Sequence, residues 1–240
     1  RYFLAAEEQL EDTEYQLMRL KMEGTPTITE WLGKELQDVQ SPEVGLDGMV
    51  NSYNYVKDLS YSLRKLGGIT LRTNLDPLEQ IWENRPSLPA NPVEIQPLEY
   101  AGETLASKVV RIRKSLRELH ADGMLVSALD DIAWTLNLRG TDVHCNPVFV
   151  SYLLIESDKV SLFVDDNKLS PEVKQYLQDN QVSLYNYNKV EKCLESYSEY
   201  NILLDGDETS YYLWKTVKCQ EIVAAASPIP AMKAVKNEAE

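Results

Sequence analysis

Apolar residues recur along this chain with two different periods, and the switches between them outline alternating helices and strands. Val109, Ile112, Leu116 and Leu119 fall at steps of three and four, the spacing that puts side chains on one face of an α-helix. Met124-Leu125-Val126 follows as a short apolar run of strand length, so a helix stripe is expected to pack on a sheet. Val148 to Ile155 and Val160 to Val164 are two more runs, separated by Glu156-Ser157-Asp158-Lys159, and read as a β-hairpin. Ser170-Pro171-Glu172 supplies a cap, a proline at the first helical position and an acidic first turn, so a helix should open there. Leu184, Ile202 to Leu204 and Val223 to Ala226 are the remaining strand candidates, with helices starting near Asn188 and Glu208. A hairpin set within βα alternation predicts a mixed sheet rather than a purely parallel one.

The N-terminal part repeats this grammar. Tyr15 to Leu20 alternates as a strand does, and Thr27-Ile28-Thr29-Glu30 has capping-box spacing ahead of Trp31, Leu32 and Leu36. Val44 to Asp47 reads as a short strand. Ser52 then caps a helix whose Tyr55, Val56, Leu59, Leu63 and Leu66 share a face, with Gly67 as its stop, and Ile69 to Leu71 is a further short strand. Between Arg85 and Pro97 stand four of the eleven prolines, which favour stiff, extended backbone. The expected organisation is therefore α/β: residues 1–88 as a partial first domain, 89–100 as a proline-rich linker, 101–232 as a second domain and 233–240 as the start of a connection. Arg1 is not a translational start, and Asn237 reads as the N-cap of a helix that the sequence does not continue. The chain is thus expected to be an excerpt, and absent opening strands would leave a sheet edge open to association.

Asp130 to Phe149 concentrates the most polar chemistry. Asp131, or Asp130 before it, is expected to cap a buried helix carrying Ile132, Trp134, Leu136 and Leu138, with Gly140 as its stop. Thr141 to Asn146 is then a polar loop before Pro147, so Arg139, Asp142, His144 and Asn146 are candidates to gather in space. An alternative assigns the same residues to the loop itself, with Arg139 pairing Asp142 and Asn146 making an Asx turn.

Composition narrows the functional classes. A net charge of −14 disfavours unaided binding to nucleic acid or anionic membrane, which need clustered Lys and Arg. Three cysteines without CxxC spacing suggest neither a disulfide framework nor a zinc knuckle, and fit a reducing, cytoplasmic setting. No apolar run reaches the roughly 18 residues of a membrane span. Asp142, His144 and Cys145 lack a fourth ligand for a metal, and Asp205-Gly206-Asp207-Glu208 lacks the continuation of a calcium loop. His120 reads as a surface residue at a helix end. Arg111-Ile112-Arg113-Lys114 reads as a solvated helix face, and Tyr185, Tyr187, Tyr197, Tyr200, Tyr211 and Tyr212 as packing at the edges of the second part. No serine stands in a Gly-x-Ser-x-Gly setting.

Ala133 to Asp142, AWTLNLRGTD, followed by Asn146-Pro147-Val148-Phe149, resembles the second-domain signature of the cytosolic-type, three-domain Xaa-Pro aminopeptidases. Arg1 to Ala6 with Gln9-Leu10 resembles that family's first-domain strand and helix. Ile81 to Pro86 resembles its linker, and Ala234-Val235-Lys236-Asn237 its junction with the catalytic domain. The resemblance runs collinearly over essentially the whole chain. It implies two creatinase N-terminal-like domains, each a mixed β-sheet flanked by helices, ahead of a catalytic domain holding two divalent metals, typically manganese, through Asp, Asp, His, Glu and Glu. None of those ligands is expected in this chain, so it should be catalytically silent and hold no metal, the cofactors belonging to the absent part. The implied role is to cover the cleft and limit access for peptides with proline at the second position, with Arg139, His144 and Asn146 as the substrate-cleft candidates. The parent enzyme would be cytoplasmic, without nucleic-acid or membrane partners, and a possible homodimer. The same architecture occurs in catalytically dead relatives such as the large subunit of the FACT histone chaperone, so a peptide- or protein-binding module is the alternative. Prolidase or creatinase itself fits less well, because those chains carry one N-terminal domain.

Overall fold

A computed structural model of the chain describes residues 2–240. Helix α1 (Tyr2–Leu10) and α2 (Ile28–Glu35) precede β1 (Glu43–Gly45), α3 (Tyr53–Gly67) and β2 (Thr70–Arg72). Strands β1 and β2 pair in parallel across α3, from Glu43 opposite Thr70 to Gly45 opposite Arg72. The expected capping box forms: Thr27 Oγ1 accepts Glu30 N, and Glu30 accepts Thr27 N. Ser52 caps α3 as its position implied, but the stop is Gly68, left-handed at φ 66°, one residue beyond Gly67. Tyr15 to Leu20 forms no strand. Its alternation has no core to face, since Tyr15 is 78% exposed and β1 pairs only with β2. Residues 2–10 form one helix rather than a strand followed by a helix, while Arg1 lies outside the described residues.

The main sheet has the order β10-β9-β4-β6-β7-β8, built from β4 (Gly123–Val126), β6 (Ser151–Glu156), β7 (Val160–Val164), β8 (Val182–Asn186), β9 (Asn201–Leu204) and β10 (Glu221–Ala224). Pairs β4–β6 and β6–β7 are antiparallel, whereas β7–β8, β4–β9 and β9–β10 are parallel, the mixed sheet that the hairpin predicts. Both faces are covered. Met124, Val126, Leu153, Ile155, Leu162, Val164 and Leu203 pack on one side with α5 (Leu105–Glu118), α6 (Leu129–Leu136), α7 (Pro171–Asp179) and α10 (Ile229–Ala234). Leu125, Leu154, Phe163, Ile202 and Leu204 pack on the other with α8 (Val190–Glu195) and α9 (Tyr211–Thr216). Double coverage is why the strands read as unbroken apolar runs instead of alternating. Helix α9 opens at Ser210, a little beyond the expected Glu208, because the Ser210 hydroxyl takes the Leu213 amide.

The proline-rich stretch finds backbone partners. Val93 donates to Lys168 O, and β3 (Glu94–Ile95) pairs antiparallel with β5 (Leu138–Arg139) before α4 (Leu98–Ala101). The N-terminal part docks on the main sheet's far side through α9. There Tyr53 stacks on Trp214 with ring centroids 4.0 Å apart, Tyr53 N donates to Thr209 O, and Tyr211 N donates to Asn51 O. Arg113 differs from its expected solvated place: it is half-buried, with Nε donating to Glu156 O at 2.7 Å.

Candidate functional site

Helix α6 starts at Leu129 with Ala128 as an N-cap that makes no side-chain bond, so neither Asp130 nor Asp131 caps it. Both carboxylates lie in the first turn, where they suit the helix dipole, and both take the Lys233 ammonium, Asp131 at 2.7 Å. Burial, reinforced by neighbouring Asp130 and Asp205, raises the Asp131 pKa against the pull of Lys233.

The helix ends at Asn137 rather than at Gly140. Asn137 is left-handed at φ 51°, a conformation that its short polar side chain tolerates. Its amide is held on both sides: Nδ2 donates to Glu103 O at 2.8 Å, and Oδ1 accepts from Lys108 Nζ at 2.7 Å. Lys108, 1% exposed, also donates to Trp134 O at 2.9 Å and sits 4.2 Å from the indole centroid. Burial lowers its pKa to about 8, against the opposing pull of Glu240 and Glu103. This early stop frees Leu138 and Arg139 to pair with β3. Gly140 is needed for close approach, since a Cβ there would lie 2.7 Å from Phe149 Cβ and 3.0 Å from Val148 O.

Beyond Gly140 the candidate residues part company. Asp142 turns inward: its Oδ2 accepts Lys168 Nζ at 2.5 Å and Val150 N at 2.7 Å, while its Oδ1 has no partner. The two side chains are 0% and 2% exposed. Arg139 therefore does not pair with Asp142. Its guanidinium is half-buried, with Nη1 donating to Ala133 O at 3.0 Å and Leu138 O at 2.8 Å. Asn146 closes a turn through its backbone, its N–H donating to Val143 O at 3.1 Å, with Cys145 left-handed at φ 59°. That replaces the expected Asx turn, because the peptide bond itself supplies the closure. His144, Cys145 and Asn146 are exposed at the tip, and with Thr141 and Pro147 they line a shallow recess of about 360 Å³. The fold thus brings His144 and Asn146 together, and Arg139 does not line that recess.

Lys108, Lys168 and Asn137 organise this region and went unnoticed as single residues. Lys108 carried a signal, since it occupies a stripe position between Leu105 and Ile112. Lys168 carried none, because only the fold brings it to Asp142.

Among the described residues no group of three or more His, Cys, Asp or Glu side chains is placed to hold a metal ion. Among the described residues, likewise, no helix is long and apolar enough to cross a membrane.

Residues 84–240 match the Creatinase/Prolidase N-terminal domain family. Over 251 residues the chain is 35% identical to the probable Xaa-Pro aminopeptidase P of Leptosphaeria maculans, covering 100% of this chain and 41% of that protein. It is likewise 35% identical to the Xaa-Pro aminopeptidase ApepP of Drosophila melanogaster, covering 100% of this chain and 40% of the fly protein. The chain thus spans about two-fifths of the length of these relatives. A crystal structure of X-prolyl aminopeptidase from Caenorhabditis elegans, described as a cytosolic enzyme with a di-nuclear active site, superposes with a TM-score of 0.86 at 24% identity, over 99% of this chain and 40% of that one. With the family match spanning more than half its length and the mixed α/β fold in agreement, the chain belongs to the creatinase/prolidase N-terminal domain family.

Proposed function

We propose that this chain is the non-catalytic N-terminal region of an Xaa-Pro aminopeptidase, and that its second part covers the cleft and limits which peptides enter. In this reading residues 1–88 are a partial first domain, 89–100 the connection and 101–232 the second domain. The observation that carries the reading is the match of the whole chain to about two-fifths of Xaa-Pro aminopeptidase relatives. The donor set here does not fit a metal pair, since Asp142 is committed to Lys168 while His144 and Cys145 are exposed neighbours. Two divalent metals, manganese in our reading, would be held by the remainder of the protein. The free cysteines and the cytosolic C. elegans neighbour support a cytoplasmic setting.

Within this reading the buried Asp142–Lys168 pair holds the base of the 140–147 loop, and His144 and Asn146 at its tip, with Arg139 at its root, face the cleft. Such groups contribute by orienting substrate without moving a proton. The test is hydrolysis of a series of Xaa-Pro peptides by the full-length protein with added manganese. Cleavage that falls with peptide length, and a changed length preference in Arg139→Ala and His144→Ala, is the expected result. Unchanged kinetic parameters and length preference in both variants would sink the cleft assignment, and absence of cleavage would favour a binding module.

A further inference from the structure

Residues 237–240 form a hydrogen-bonded turn seated on α6. Asn237 Oδ1 accepts Ala239 N at 2.9 Å and Glu240 N at 3.1 Å, and Glu240 Oε2 accepts Asn237 N at 3.3 Å. These are the reciprocal bonds of a capping box. Each of its two side chains has one polar group left over, and each spends it on the same neighbouring surface. Glu240 Oε1 accepts Trp134 Nε1 at 2.9 Å, and Asn237 Nδ2 donates to Ala101 O at 3.0 Å. Gly102, left-handed at φ 66°, leaves the space for Asn237, because a Cβ there would overlap Asn237 Oδ1. Behind the indole lies the Lys108 ammonium, bonded to Trp134 O and to the Asn137 cap. Upstream, Lys233 binds Asp130 and Asp131 of the same helix, and Ile229 is fully buried.

We propose that Trp134, together with the Ala101-Gly102 turn, is a docking seat that fixes the 237–240 turn, so that this turn and the 140–147 loop are carried as one rigid body. The connection is short. Trp134 lies on α6, Asn137 ends that helix, and Arg139 in β5 leads directly into the loop. A bond at Glu240 and the placement of His144 are therefore referred to the same few residues. The inference rests on the cleft-cover reading for its consequence, and Trp134 acts as a positioning residue.

The test uses the full-length protein with Trp134→Phe, Gly102→Ala, Glu240→Gln and Glu240→Ala. Backbone hydrogen exchange is followed in peptides containing Asn237 to Glu240. Trp134→Phe keeps the ring packing and deletes one hydrogen bond, so exchange there should quicken about fivefold. Gly102→Ala should do the same with the indole intact. Glu240→Gln, which keeps an acceptor, should be milder than Glu240→Ala, and adding Trp134→Phe to Glu240→Ala should produce no further acceleration. Unchanged exchange in Trp134→Phe and Gly102→Ala, or multiplying effects in the double variant, would overturn the seat. On the activity side, KM for long Xaa-Pro peptides should rise while kcat on a dipeptide stays within about twofold, the pattern of lost positioning. Equal effects on long and short substrates would overturn the rigid-body role. An inactive parent protein would remove the aminopeptidase reading, and the exchange experiment would still decide the seat.

Discussion

Lys168→Met is the perturbation whose cost can be worked most directly from the structure. It removes the ammonium 2.5 Å from Asp142 Oδ2 and leaves a 0% exposed carboxylate with the Val150 amide as its one remaining donor. The other oxygen already lacks a partner. Removing one member of a buried pair typically costs about 3–5 kcal/mol, because the survivor is an uncompensated charge away from water. For a chain of this size that corresponds to a fall in Tm of roughly 6–20 °C. Asp142→Asn combined with Lys168→Met removes both charges and keeps an acceptor for Val150 N, so it should recover most of the loss and lie within about 2 kcal/mol of the parent. The assay is thermal unfolding by circular dichroism, with urea midpoints to separate stability from changes in slope. A Lys168→Met variant within about 1 kcal/mol of the parent, or a double variant worse than either single one, would refute the claim that this pair anchors the 140–147 loop.

Three further outcomes are expected. Gly140→Ala should destabilise by about 1–3 kcal/mol through overpacking against Phe149 and Val148, measured as a lowered urea midpoint, with Thr141→Ala near neutral as the control on the exposed loop. The unfolded Lys108 side chain keeps its proton to about its ordinary 10.5, whereas the buried one releases it near 8; the unfolded state therefore binds more protons at this site across that window, and the Lys108 contribution to stability should rise from pH 8 towards 10.5. Burial raises the Cys193 thiol and opposes that trend in the whole protein, so the check is a difference: the urea midpoint of the parent minus that of Lys108→Met should climb across this range. Tyr53→Ala removes the ring stacked on Trp214 and should cost about 3 kcal/mol, with faster proteolysis in the 47–54 segment as the local readout.

Much of the fold was legible because the local signals agreed with one another. The Thr27–Glu30 box, the Ser52 and Ser170 caps, the α5 stripe and the β6–β7 hairpin each depend on residues a few positions apart. Where the local signal misled, the choice was made from a distance. Gly140 is the stop that the local pattern suggests, and Asn137 takes that place because Lys108 and Glu103 hold its amide. Tyr15 to Leu20 carries strand alternation, yet no neighbouring strand or core meets it, so the pattern has no ladder to enter.

The candidate site divides along the same line. Sequence by itself determined that Thr141 to Asn146 is a polar loop between a buried helix and a strand, and that His144 and Asn146 belong to it, since turn chemistry and apolar periodicity are properties of neighbouring residues. It also determined the mixed α/β class, through the spacing of its helices and strands. Only the tertiary structure decided which way each loop side chain faces: Asp142 inward to Lys168, Arg139 back onto the carbonyls of its own segment, and Glu240 across 106 positions to Trp134. Those partnerships depend on which polar groups the fold brings together, and for Asp142 and Lys168 on the need of buried charges to satisfy one another; no local pattern along the chain encodes that.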